Sequence, residues 1–185
     1  MPCACSKRVR IFMVKVPRGA RGTLESAKLI AQLIAGGAKD FWVRQKAIDI
    51  FRRHRVPAKD RIGEIRALFE WVRRNIRYTR DIFQVETLHT PRRMLELRAG
   101  DCDDMTILLG AMLKSTGHPV RLCLVGFRPD LPHVYSHIYP EVLCKTRWIA
   151  LDATMRHPMG WAPPALWKKV CDITKDGIQC SCVTE

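Results

Sequence analysis

The sequence predicts an α+β fold in which helices come first and a small antiparallel sheet follows. Apolar residues recur at helical spacing through most of the first 115 residues. Beyond them the chain changes to short segments rich in β-branched and aromatic residues, separated by turn residues. At 185 residues the chain is long enough to form one domain with its own core.

Helix start and stop signals divide the first part of the chain into five predicted helices. Each helix begins after a residue whose side chain can accept a hydrogen bond from the free N–H groups of the first turn. Glycine, proline or a change of period ends the helices at about residues 37, 55, 76, 97 and 115. The predicted N-cap residues are Thr23, Asp40, Asp60, Thr90 and Asp101.

Three strands are predicted after the last helix. They lie at residues 120–127, 134–142 and 147–152 and are rich in β-branched and aromatic side chains. No period dominates beyond residue 153, and three prolines between residues 158 and 164 favour loops.

These elements predict a single domain with a short extension at each end. We expect a basic irregular lead-in at residues 1–22, the domain at 23–160 and a loop-rich C-terminal tail at 161–185. The domain divides into a helical part at 23–99 and a core at 100–155, which carries the candidate site described below.

The positive charge of the chain is concentrated in its first 80 residues. The whole sequence has 32 Lys and Arg against 18 Asp and Glu, which gives a net charge of +14. Residues 1–80 hold 20 of the basic and 6 of the acidic residues, whereas the remainder holds 12 of each. The asymmetry predicts either contact of residues 1–80 with a nucleic acid or acidic partner, or solvated basic faces on amphipathic helices.

The sequence predicts no contact with a membrane and no export by a signal peptide. No apolar run approaches the roughly 20 residues that span a bilayer. Basic residues interrupt the short apolar stretch near the start of the chain, unlike the apolar region of a signal peptide. We therefore expect a reducing cytoplasm, in which the eight cysteines are mostly free thiols.

Cys102 is the strongest candidate for a reactive residue. Asp101 caps the predicted helix, so Cys102 lies in the first turn, in line with the core-facing Met105, Leu109 and Met112. Free N–H groups at a helix start lower a thiol pKa and can stabilise an oxyanion. The aspartates beside Cys102 oppose a thiolate, so an active thiol with a pKa below about 8.5 needs an imidazolium partner. The alternative is a buried packing cysteine.

A partner for this thiol is predicted on the second strand. Period two places His137 on one face of that strand, and a hairpin joins it to the third strand. A two-residue loop at Cys144-Lys145 puts His137 directly opposite Asp152, and a four-residue loop gives the same register. Directly opposed side chains have Cβ atoms about 4.5–5.5 Å apart, close enough for a carboxylate to orient an imidazole.

Several strings of this sequence resemble the catalytic core of the transglutaminase-like superfamily, most closely its short versions encoded by tailed phages and prophages. The strings are AGDCDDMTILLGAMLKSTGHPVRL, HIYPEV and RWIALDAT, with RALFEWVRRNIRYTRD and TPRRMLELRAGDCDD upstream. The resemblance covers roughly residues 60–155 and includes a cysteine, a histidine 35 residues later and an aspartate 15 residues further on. It implies a papain-like core in which the cysteine-bearing helix packs on an antiparallel sheet.

The resemblance also implies roles for the three residues. Cys102 is the nucleophile, His137 the base and Asp152 the group that orients the base. His137 fits the pattern better than His133, because the aromatic and acidic positions of the family pattern follow it. The implied activity is that of a cysteine-dependent hydrolase (a protease or amidase) or a transglutaminase-type acyl transferase, acting on peptide or amide bonds through a thioester. No cofactor or metal is implied.

The resemblance further implies peptide or protein substrates, with phage structural proteins as possible partners. It places the protein in the bacterial host cytoplasm or in a phage particle. The backbone N–H of Cys102 is expected to be one oxyanion donor, and the second donor is left open among Trp71, Tyr78 and Gln84.

Two other interpretations stay open at this point. One is a degenerate, catalytically inactive fold that serves as a basic structural or DNA-contacting component of a phage particle. The other is a metal site, although zinc usually prefers a wider cysteine spacing than the one found here. Its four ligands would be Cys3, Cys5, Cys180 and Cys182.

Overall fold

The computed structural model describes Pro17 and residues 19–80, 87–132 and 134–183. The helices in these ranges are α1 (Ala20–Gly37), α2 (Phe41–Arg53), α3 (Arg61–Asn75), α4 (Pro91–Leu97) and α5 (Cys102–Ser115). The strands are β1 (Arg77–Tyr78), β2 (Ala99–Gly100), β3 (Val120–Gly126), β4 (His137–Cys144), β5 (Arg147–Ala150), β6 (Trp167–Thr174) and β7 (Gly177–Val183). Helices precede the main sheet along the chain, which confirms the predicted α+β class.

Four of the five predicted N-caps form as expected. Their side-chain oxygens accept hydrogen bonds from first-turn N–H groups at 2.8 to 3.3 Å, and each helix begins at the next residue. These caps are Asp40, Asp60, Thr90 and Asp101.

The predicted cap at Thr23 is wrong. Helix α1 begins at Ala20, after Gly19, whose φ of 75° is readily adopted only by glycine. The Thr23 hydroxyl therefore lies inside the first turn and donates to the Gly19 carbonyl. The helix begins within the lead-in predicted for residues 1–22, and residues 1–16 of that lead-in lie outside the described residues.

The main sheet is antiparallel, and the helices pack on one of its faces. Its strands follow the order β5-β4-β3-β6-β7. Ile107 of α5 and apolar residues of α1 bury against Leu122, Ile138 and Cys171 of the sheet. Helices α2, α3 and α4 pack around the remaining surface of α5, which is buried along almost its whole length. No helix among the described residues is both long and apolar enough to cross a membrane.

The loop-rich tail predicted for residues 161–185 is wrong for the part that forms β6 and β7. These two strands form a hairpin that extends the main sheet, with Thr174 paired to Gly177 across a two-residue turn. The sequence held a partial signal for this hairpin, because Asp-Gly is a favoured turn pair and Asp176-Gly177 lies at the turn. The two turn residues are Lys175 and Asp176, so that signal would have indicated the hairpin but not its register. The sheet therefore continues well beyond residue 160.

The expectation of mostly free thiols also needs a correction in this hairpin. Cys171 and Cys180 are directly opposed on β6 and β7 and form a disulfide. Cys180 is therefore not a free metal ligand, and Cys3 and Cys5 lie outside the described residues. The free cysteines within the described ranges are Cys102, Cys123, Cys144 and Cys182.

A second, two-stranded sheet lies before the cysteine-bearing helix. Strands β1 and β2 are parallel, with Arg77 opposite Ala99 and Tyr78 opposite Gly100. This pairing holds Tyr78 next to the turn that leads into Cys102. The position of Gly100 is restricted, because a Cβ there would lie 2.6 Å from the Asp104 Cβ.

Candidate active site

Cys102 is the first residue of α5, as the sequence predicts. The Asp101 carboxylate accepts from the N–H groups of Asp103 and Asp104 at 3.0 and 3.3 Å, which fixes the start of the helix. The backbone N–H of Cys102 makes no hydrogen bond within the described ranges, so it remains available to an oxyanion. The half-buried sulfur lies against the backbone N–H of Ile138, the second residue of β4.

The resting thiol of Cys102 is protonated, contrary to the pKa expected from the sequence. Burial raises its pKa most, and the charges of Asp103 and Asp101 raise it further. The Ile138 N–H favours the thiolate but only partly offsets these effects. The sulfur donates a hydrogen bond to the Asp103 carboxylate at 3.5 Å. The sequence had indicated the aspartates but not the extent of burial.

His137 and Asp152 form a direct pair on the sheet. The His137 Nε2 and Asp152 Oδ2 atoms are 2.8 Å apart, and the Asp152 side chain is only 1% exposed. The other oxygen of Asp152 accepts from the backbone N–H and the hydroxyl of Thr154 at 3.0 and 2.6 Å. Burial raises the pKa of Asp152, but His137 and Thr154 outweigh it, and the net pKa is lowered. An ionised Asp152 accepts a hydrogen bond from Nε2–H of His137. The proton therefore stays on Nε2, and Nδ1 is the basic nitrogen of the ring.

The pair forms in a register different from the predicted one. The turn between β4 and β5 is Lys145-Thr146, so the ladder pairs Cys144 with Arg147 and Glu141 with Ala150. Continued along the strands, this register places Asp152 beside Tyr139, two residues from the predicted partner. A shift of two residues keeps every side chain on its original face. His137 and Asp152 therefore meet as diagonal neighbours, which long side chains can bridge.

The two parts of the site meet at the start of β4. His137 opens the strand and shares a face with Tyr139, whereas the Cys102 sulfur reaches the backbone of Ile138 from the helix side. The Thr106 hydroxyl donates to the Ile138 carbonyl at 3.2 Å and so fastens α5 to this strand. Among the described residues, no hydrogen bond joins the sulfur to the His137 ring, so direct contact between them stays a prediction.

The other sequence candidates occupy different positions. Tyr78 is 45% exposed at the rim of the site, and burial followed by the charges of Cys102 and Asp101 raises its pKa. Trp71 is instead buried in the helical core, with Lys46 and Arg98 over its ring. The remaining donor candidate, Gln84, and the alternative base, His133, lie outside the described residues.

Sequence reasoning missed two groups that support the site. Thr154 completes the hydrogen bonding of Asp152, and its place two residues later in the ALDAT string fits an Asx-type turn. Asp104 is 1% exposed and binds both the backbone N–H and the Nδ1 of His89, at 2.8 and 2.9 Å. Nothing in the sequence spacing indicated that second pair, which fastens the segment before α4 to the cysteine-bearing helix.

A cluster of possible metal ligands surrounds the thiol. One donor atom each from Asp101, Cys102 and Asp103 lies within 4.8 Å of the others. The Asp101 carboxylate already accepts two backbone N–H groups, and the Cys102 sulfur donates to Asp103. These groups are thus engaged in the helix cap and in the protonated thiol.

Comparison with solved structures shows where the fold recurs. A structure of the Rad4/XPC nucleotide excision repair complex has a TM-score of 0.57 at 13% identity, covering 87% of this chain and 46% of that one. A candidate protease from Parabacteroides distasonis has a TM-score of 0.56 at 12% identity, covering 83% and 30%. A candidate cysteine protease from Cytophaga hutchinsonii has a TM-score of 0.47 at 15% identity, covering 77% and 52%.

The first two similarities concern the fold alone. The chain spans about half or less of the length of all three structures. No curated protein sequence matches the chain. A sequence model of the core of the transglutaminase-like superfamily matches residues 49–153, which is more than half of the chain and includes Cys102, His137 and Asp152. The chain is therefore a member of the transglutaminase-like superfamily.

Proposed function

We propose that this protein is a cysteine-dependent hydrolase that cleaves amide bonds in peptides or proteins through a thioester. Cys102 is the nucleophile, His137 the general base and Asp152 the group that orients the base. One observation carries the proposal: a buried carboxylate holds the His137 ring at the start of the strand whose next residue contacts the Cys102 sulfur. This combination of helix-start thiol, imidazole and carboxylate is the arrangement used in thiol-dependent acyl transfer.

The resting thiol determines how the first step proceeds. Because Cys102 is protonated before substrate binds, the sulfur must lose its proton as it attacks the carbonyl carbon. The Nδ1 atom of His137 accepts that proton while Nε2–H stays bonded to Asp152. The new C–S bond gives a tetrahedral intermediate. This collapses as the C–N bond breaks, and the leaving amine takes the proton from Nδ1.

Two groups are placed to stabilise the oxyanion of that intermediate. The backbone N–H of Cys102 is the first donor. We assign the Tyr78 hydroxyl as the second, because the β1–β2 pairing holds Tyr78 beside Gly100. The Arg80 side chain interacts with the phenol oxygen, so the hydroxyl hydrogen can be donated to substrate.

Deacylation decides between hydrolysis and transfer. In hydrolysis, His137 Nδ1 takes a proton from water as the oxygen of that water adds to the thioester carbon. The C–S bond then breaks, the sulfur takes the proton back from Nδ1, and the carboxylic acid is released. In transfer, an amine takes the place of water. We favour hydrolysis because water is always available to the thioester. The motif strings further support a phage or prophage origin, with peptides or phage proteins as substrates.

A direct test is acylation by an activated ester such as p-nitrophenyl acetate, followed by intact-mass and peptide analysis. We expect one acetyl group on Cys102 and much less acetylation in His137→Ala. The acetyl group should then be released slowly as acetate, even when an added amine is present as an alternative acceptor. Cys144→Ala is the matched control, because Cys144 is another half-buried free thiol. Equal labelling of Cys102 and Cys144 would contradict the proposal. Labelling of Cys102 that is unchanged in His137→Ala would also contradict it.

A further inference from the structure

A basic groove runs between the end of α2 and the outer side of α3. It has a volume of about 290 Å³ and is separate from the cysteine site. Its Asp60 end lies beside the C-terminal end of α5, because Arg61 donates to the carbonyls of Thr116 and Gly117. Cys102 opens the other end of that helix. The charged and titratable residues that line this α2–α3 groove are His54, Arg55, Asp60, Arg66, Glu70 and Arg74.

The acidic residues of the groove are already engaged. The Asp60 carboxylate accepts the Gly63 N–H at the start of α3. Glu70 is paired with Arg73 and Arg74 at 2.6 and 3.2 Å. By contrast, Arg55 and Arg66 are exposed and have no acidic partner in the part of the chain that the structure describes. The three arginines that line the groove outnumber its two carboxylates, so this concave surface keeps a net positive charge.

Arg55 occupies a backbone position that normally favours glycine. The Arg55 N–H bonds to the Arg52 carbonyl and the Val56 N–H to the Phe51 carbonyl, the two hydrogen bonds of a Schellman motif. Arg55 is the left-handed residue of this motif, with a φ of 51°. An arginine there costs folding stability relative to glycine. Replacing Arg55 by glycine would remove this cost and the guanidinium group together.

We propose that the α2–α3 groove binds the phosphodiester backbone of a nucleic acid, with Arg55 and Arg66 each contacting a phosphate. Guanidinium groups form paired hydrogen bonds with phosphate oxygens, and an exposed pair of them on a concave surface suits successive phosphates. The two helices that form the groove and the turn between them are basic as well, because residues 41–75 carry ten Lys and Arg against four Asp and Glu. No Phe, Tyr or Trp side chain lines the groove, so we expect binding to depend on charge and shape and not on base sequence.

The test uses the full chain, a short fluorescent DNA duplex and anisotropy titrations across a range of salt concentrations. For the Arg55→Ala/Arg66→Ala variant, losing two phosphate contacts lowers the salt slope by about 1.8. The parent then loses about twelvefold more affinity than the variant between about 50 and 200 mM salt. Arg147→Ala/Lys175→Ala is the matched control, because both side chains are exposed, lie outside the groove and remove the same charge.

A single substitution separates binding from folding at the same position. Arg55→Gly should raise the thermal midpoint, because glycine relieves the left-handed backbone, yet it should weaken duplex binding. Equal weakening by the groove and control variants overturns the proposal, as does absence of binding at low salt. Poly-glutamate that competes as well as the duplex at equal charge also overturns it, in favour of an acidic protein partner.

Discussion

At the scale of single residues, the charges around Cys102 govern when its sulfur can react. Asp103 contributes twice, because its negative charge raises the pKa of the thiol and its carboxylate accepts a hydrogen bond from the protonated thiol. The helix start and the Ile138 N–H act in the opposite direction and favour negative charge on the sulfur.

Asp103→Asn should therefore make the resting thiol more reactive. Removing the carboxylate lowers the pKa of Cys102, so more thiolate is present at about pH 8, and alkylation by iodoacetamide should accelerate roughly threefold to tenfold. The rate of alkylation against pH measures the change, with Cys144 in the same protein as an internal reference. An unchanged or slower rate at Cys102 would show that the carboxylate does not oppose the thiolate.

Tyr78→Phe should impair the chemical step while leaving binding almost intact. Loss of one oxyanion donor typically lowers kcat by about 10²–10³-fold, with little effect on KM, because the hydrogen bond forms mainly in the transition state. Single-turnover acylation with the activated ester measures this loss. Tyr135→Phe removes a hydroxyl elsewhere and serves as control. The assignment fails if both variants acylate at the parental rate.

At the scale of elements, local signals predicted the helices far better than the hairpins. A carboxylate before a helical period sets a helix start by itself, which is why Asp40, Asp60 and Asp101 were identified. Strand register depends on the turn, and Lys145-Thr146 lacks the Asn-Gly or Asp-Gly signature, although Lys145 adopts a φ of 57°. The sequence could therefore place the paired residues on one face but not fix their alignment.

The β6–β7 hairpin should depend on its disulfide. Closing a loop of nine residues with a disulfide restricts the unfolded chain enough to stabilise the fold by about 2–3 kcal/mol. Urea unfolding with and without reductant should show this difference in the free energy of unfolding. The Cys171→Ala/Cys180→Ala variant should not respond to reductant. If both thiols react with iodoacetamide in unreduced, unfolded protein, the disulfide does not form.

At the scale of the whole molecule, the sequence predicted the helix position of Cys102 and the pairing of His137 with Asp152, but not the pKa of the thiol. The spacing of Cys102, His137 and Asp152 can be read from the sequence. A register shift of two residues still leaves the His137 and Asp152 side chains on the same face of the sheet. The burial that raises the pKa of Cys102 arises from α5 packing against β4, a contact between segments distant in sequence. Support from Thr154 and from the Asp104–His89 pair likewise requires the assembled fold.

Global stability should fall at mildly acidic pH because of His118. This side chain is fully buried between α3 and α5, and burial followed by the charge of Arg61 lowers its pKa although Glu64 opposes the change. Below about pH 6.5, His118 is protonated in the unfolded chain but stays neutral in the folded chain. Above that pH, His118 does not reduce the free energy of unfolding. As the pH falls from there toward the folded pKa of His118, the free energy of unfolding decreases by at most about 1.4 kcal/mol per pH unit.

Urea unfolding at a series of pH values between about 5 and 8 measures this slope. His118→Gln should flatten the slope, whereas His54→Gln, which changes an exposed histidine, should leave it as in the parent. A parental slope that persists in His118→Gln would assign the pH dependence to another group.

The parallel pairing of β1 with β2 also bears on how such a protein can diverge. Residues 79–98 connect β1 to β2, so both ends of this connecting segment are fixed by the same pair of strands. Doubling the length of a closed loop costs only about 0.6 kcal/mol. The part of this connecting segment that precedes α4 can therefore gain or lose residues over evolutionary time without shifting the turn that leads from β2 into Cys102.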